Sequence, residues 1–66
     1  MKTIIKNRRT QEIEKVFEYP NEAKAIMLAA KEVNNYIFAH YGKQKIQIQT
    51  IKSAGGEEEG VLITIG

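Results

Sequence analysis

The chain has 66 residues, no cysteine, eight acidic against ten basic side chains and a formal net charge of +2. That length makes one domain, residues 1–66, and buries only about 60% of its extended surface, so no large core and no generous stability margin are available. The missing cysteines exclude a disulfide framework, a thiolate nucleophile and a cysteine metal site, and the charge is too small to demand a nucleic-acid partner.

The chain opens Met1-Lys2-Thr3-Ile4-Ile5-Lys6, which turns polar too early for a secretory signal. No apolar run approaches the ~20 residues that span a bilayer. A cytoplasmic protein without a membrane association is the expectation. Ile4 and Ile5 sit in a short first strand, and Ile13 to Tyr19 is rich in strand formers, with Val16, Phe17 and Tyr19. A loop over Asn7 to Gln11 predicts a hairpin in which Ile5 faces Ile13 and Lys6 faces Glu12, so that opposite charges meet across the strands. Ile13, Val16 and Phe17 also fit helical spacing, but the hairpin is the preferred reading.

Asn21 to Tyr41 is a long amphipathic run. Ala23, Ile26, Ala30, Val33 and Ile37 recur at steps of three and four, the spacing of one helical face. Met27, Phe38 and Tyr41 widen the stripe, and Lys24, Lys31 and Asn35 lie opposite. Either Asn21 caps this helix or Pro20 occupies its first turn. Glu22 and His40 each suit their end of the helix dipole, and Gly42 is a natural left-handed stop.

Two alternating segments follow. Ile46, Ile48 and Thr50 interleave with Gln47, Gln49 and Ile51, and Val61, Ile63 and Ile65 interleave with Leu62 and Thr64. Ser53 to Gly60 is a turn-rich, acidic connection. Pairing Ile48 with Ile63 and Ile46 with Ile65 gathers the isoleucines on one face and sets Gln47 beside Thr64 and Gln49 beside Leu62; a slip of one residue would invert this. The last strand reaches residue 66, so no tail is expected. There is no internal repeat and no linker. The elements define an α+β domain, strand–strand–helix–strand–strand, with one helix packed on a four-stranded, mostly antiparallel sheet.

The chemistry expected of a catalyst is sparse. His40 is the sole histidine, Ser53 the sole serine, and aspartate is absent, whereas a triad needs a nucleophile, a base and an orienting acid in mutual reach. Tyr19, Tyr36 and Tyr41 stand at element ends, where amphipathic packing suits them. Glu57, Glu58 and Glu59 are consecutive and lack the spacing of a calcium loop. Gly55, Gly56 and Gly60 lead from strand to strand, not into the helix N-terminus that a phosphate cradle requires. No catalytic residue, metal, cofactor or small-molecule ligand is therefore predicted.

Two surfaces remain. Lys2, Lys6, Arg8 and Arg9 crowd the first hairpin, and Lys43 and Lys45 lead into the third strand. Were that strand to neighbour the first, a basic strip with Gln47 and Gln49 would cross the open sheet face, able to meet phosphates and base edges. The second surface is apolar. By parity Ile4, Ile51 and Leu62 fall on the face that the helix does not cover, and Leu28 falls between Lys24 and Lys31 on the helix's outer side. A contiguous apolar group there suggests association. The sequence thus predicts a non-enzymatic interaction or regulatory module that partners itself as a homodimer or docks on another protein. The alternative is a small nucleic-acid-binding protein using the basic hairpin.

Overall fold

The computed structural model describes residues 1–66. Four strands and one helix follow in the order β1 (Lys2–Asn7), β2 (Ile13–Glu18), α1 (Ala23–Tyr41), β3 (Gln47–Lys52) and β4 (Glu58–Ile65). The strands form one mixed sheet in the order β2-β1-β4-β3, with β1 and β4 parallel at its centre and an antiparallel edge strand on each side. The expected α+β architecture is what the chain adopts.

The β3–β4 register is the one the alternation demands: Gln47 pairs with Thr64, Ile48 with Ile63 and Gln49 with Leu62. Ile46 lies just outside the ladder, so its expected pairing with Ile65 does not form. The β1–β2 register differs from expectation by more. Lys6 pairs with Ile13 and Ile5 with Lys15, and the register shifts between them so that Glu14 is the extra residue of a bulge. Such a residue re-aims its side chain, and Glu14 reaches the helix, where it meets two tyrosines.

The helix starts later than the sequence suggests. Glu22, extended at φ −132° and ψ 141°, occupies the N-cap without a side-chain cap, so neither Asn21 nor Pro20 plays the expected part. The reason is local: the Glu22 N–H donates to the Pro20 carbonyl at 2.8 Å, and this turn uses up residues 20–22. At the other end Gly42 takes φ +68°, and its N–H donates to the Phe38 carbonyl at 3.0 Å.

The core is small. Ile5, Ile63 and Ile65 from the two central strands close around Val33 of α1, with Phe17, Tyr36, Ile37, Tyr41 and Val61 packed at its margin. Ile5 and Ile65 are fully buried. The helix is rotated slightly from the predicted stripe: Ala29 is buried beside Val33, while Ala23 and Ala30 are exposed. Alanine fits either position, so packing decides. Phe17 meets Tyr36 edge-to-face at 6.0 Å between ring centroids, which draws the helix toward β2.

This placement has a cost on the other side. A four-stranded sheet is about 19 Å wide at ~4.8 Å per strand, whereas one helix with its side chains is about 10–12 Å across. The molecule is a flat slab of 31 × 26 × 16 Å. A helix drawn toward β2 leaves the helix-side surface of β3 uncovered.

Candidate protein-interaction surface

Pairing across all four strands lays out the open face as three rows. Glu18, Lys2, Gly60 and Ile51 form one; Val16, Ile4, Leu62 and Gln49 the next; Ile13, Lys6, Thr64 and Gln47 the third. The sequence-predicted interface residues Ile4, Ile51 and Leu62 do share this face, and Ile4 and Leu62 are direct partners on β1 and β4. All three are half-buried. Charged or amide side chains stand in every row, and their aliphatic stems shade such neighbours. Leu28 is not with them. It is 60% exposed on α1 and lines a shallow cleft with Val16, Phe17 and Ala29 on the β2 side.

The more exposed apolar group lies elsewhere, among residues that alternation and helical spacing place toward the core. Ile48 is on the helix side of β3, beside Ile63, yet 62% of its surface is open. Ile46 next to it is 37% exposed. On α1, Met27 and Phe38 are 72% and 67% exposed. At 100° per residue these two fall on the flank of α1 opposite Ala25 and Glu32, which line the β2 cleft. At that spacing they lie about 120° and 140° around the helix from the buried Val33, so they look outward from the sheet on the side away from that cleft. Amphipathic periodicity alone could not expose this group, because it reports which residues are apolar and not how far one helix reaches.

Glu14 organises the opposite margin. Its carboxylate accepts from the Tyr36 hydroxyl at 3.1 Å, from the Tyr41 hydroxyl, and from Asn7 Nδ2 at 3.0 Å. His40 stacks on Tyr36 with ring centroids 4.3 Å apart. Burial first, then the hydrogen bond to Glu14 and its negative charge, raise the Tyr36 pKa above its ordinary value of 10.0. The group ties β2 to the end of α1. Ser53 is occupied in its own loop, its Oγ accepting from the Glu57 N–H at 3.3 Å. No three His, Cys, Asp or Glu side chains gather closely enough to hold a metal ion.

The basic residues separate into two groups. β4 stands between β1 and β3, so the strip expected across the open face does not form. Lys2 sits opposite Glu18 at one end of the sheet, beside a recess also lined by Glu58 and Glu59. At the other end, Lys6 and the Arg8-Arg9 turn share the sheet margin with Lys43 and Lys45, because β3 begins where β1 and β4 end. Glu12 and Glu14 lie at the same end.

No helix is long and apolar enough to cross a membrane. No family model, no curated protein and no solved structure matches the chain.

Proposed function

We propose that this chain is a non-enzymatic protein-interaction module that works by docking apolar surface, homo-oligomeric in its simplest form. The observation that carries this reading is the surplus of apolar surface. Only seven of 66 residues are buried, while Met27, Phe38 and Ile48 stand largely open to solvent. Single exposed apolar residues are ordinary; several together on one side of a small domain mark an association surface. The scarcity of chemistry agrees. The one histidine is stacked on a tyrosine and the one serine is tied into a loop.

A second reading, nucleic-acid binding, draws on the gathering of Lys6, Arg8, Arg9, Lys43 and Lys45 at one end of the sheet. One experiment weighs the two: fluorescence anisotropy of labelled single- and double-stranded DNA and RNA at low and near-physiological salt. Absence of binding at low salt is the expected result. Tight binding that decays with salt, and that Arg8→Ala with Arg9→Ala weakens together with its salt slope, would overturn the interaction reading.

A further inference from the structure

We infer that the partner of the uncovered β3 side is a second copy of this chain, joined antiparallel along the β3 edge into one continuous eight-stranded sheet. The inference rests on the interaction reading above and goes further by naming the surface, the occupant and the geometry.

Four observations carry it. The first is the state of the two sheet edges. β2 is blunted by the Glu14 bulge and by Lys15 and Glu18, devices that keep an edge from pairing. β3 runs Gln47-Ile48-Gln49-Thr50 without a charge or a proline, and its one irregularity lies at its far end, between Ile51 and Lys52. Its outer backbone groups are free to extend the sheet.

The second is parity. Ile48 and Thr50 face the helix side and Gln47 and Gln49 the open side. An antiparallel pairing about a two-fold axis normal to the sheet keeps each set with its own kind. The Ile48 side chains of the two copies become neighbours on the helix side, where each is 62% exposed in the single chain. The glutamines meet on the other face, where their amides can bond to each other.

The third is charge. Lys45 and Lys52 flank the apolar stretch. A parallel pairing would set each lysine directly against its own copy, whereas the antiparallel one separates the copies and leaves Lys45 of one chain one position away from Lys52 of the other. Lys52 already has Glu58 across from it within its own chain.

The fourth is area. A compact monomer of 7.5 kDa is expected to expose about 4,200 Å². This chain exposes 5040 Å². The excess, roughly 800 Å², is that of a flat slab with one sheet margin left uncovered. A second copy on the β3 edge covers that margin in both chains at once.

The test is sedimentation equilibrium on the whole chain and two variants, Ile48→Lys and Leu28→Lys, with far-UV circular dichroism to confirm folding. Ile48 and Leu28 are about equally exposed, so the substitutions load the monomer alike. The chain should be dimeric at ~100 μM. Ile48→Lys enters twice across the two-fold and should raise the dimer Kd at least ~10-fold, while Leu28→Lys should leave it unchanged. Amide exchange supplies the independent reading: β3 amides that point away from β4 should be protected in the dimer and exposed in folded Ile48→Lys. A folded monomer at ~100 μM, a dimer indifferent to Ile48→Lys, or a dimer whose outward β3 amides exchange freely would each overturn the inference. A folded monomer also removes the homo-oligomeric form of the interaction reading, whereas docking on another protein stands or falls by the anisotropy assay, where nucleic-acid binding would overturn it.

Discussion

Gly60 on β4 lies against the backbone of Lys2 on β1 so closely that a β-carbon placed on it would stand 1.7 Å from the Lys2 carbonyl oxygen. Its φ of +152° is itself one that side-chain-bearing residues avoid. The central parallel pair therefore depends on the absence of one methyl group. Gly60→Ala should lower stability by about 3 kcal/mol or more, or prevent folding. Gly56 supplies the contrast. It also has positive φ, +84°, but nothing lies within 4 Å of its Cβ position, so Gly56→Ala should cost only ~1–2 kcal/mol. Urea unfolding of the two variants checks the difference; equal losses would mean that strain alone, without the clash, sets the cost.

The bulge at Glu14 makes a second prediction. Three donors converge on one carboxylate, and hydrogen bonds to charged groups are the stronger kind, though solvent access here weakens them. Glu14→Ala should cost ~1–2 kcal/mol in chemical denaturation. It should also lower the pKa of Tyr36 part of the way, because the contribution of burial, the largest, stays while those of the carboxylate go. A tyrosinate absorbance titration of both proteins reads this directly.

The same tyrosine sets a limit at high pH. Its pKa is raised on folding, so the folded state favours the protonated phenol. That contribution is fully present below the unfolded value near 10.0 and is lost as pH rises through the higher folded value. Stability should decline above pH ~10 more steeply in the parent chain than in Tyr36→Phe. Melting temperatures across that range test it, and parallel declines would dismiss Tyr36 as a contributor.

In the core, Ile5→Ala removes a side chain with no exposed surface and should cost ~2–5 kcal/mol. Leu28→Ala, on the exposed flank of α1, should stay within ~0.5 kcal/mol. Thermal melts of both variants should separate them plainly.

Particular residues show what could be read from the sequence. The β3–β4 register was legible because alternation on both strands and a glycine-rich loop between them agree on Ile48 opposite Ile63. The β1–β2 register was not, because the bulge falls on a glutamate whose tyrosine partners lie 22 and 27 positions further along the chain. Local alternation carries no trace of such a partner. The helix was visible in its length, yet its rotation, with Ala29 inward in place of Ala30, follows from Phe17 and Tyr36 meeting across elements. Strand order was invisible, since nothing in a single strand says which neighbour it takes, and with it went the expected basic strip. Of the proposed interface residues, Ile4, Ile51 and Leu62 were placed on their shared face by parity. Ile48 was assigned inward for the same reason, and only the width of one helix against four strands leaves it open.

The parallel seam between β1 and β4 also bears on how the chain reaches this structure. Each hairpin is local and can form early, but the core belongs to neither: Ile5 comes from the first, Ile63 and Ile65 from the second, and Val33 from the helix between them. The contact that joins the halves is also the one between the most distant stretches of chain, and such contacts are slow to close. Neither hairpin keeps a core when the other is removed, so the two halves should unfold as a single cooperative unit, and a cut within α1 should dissolve both.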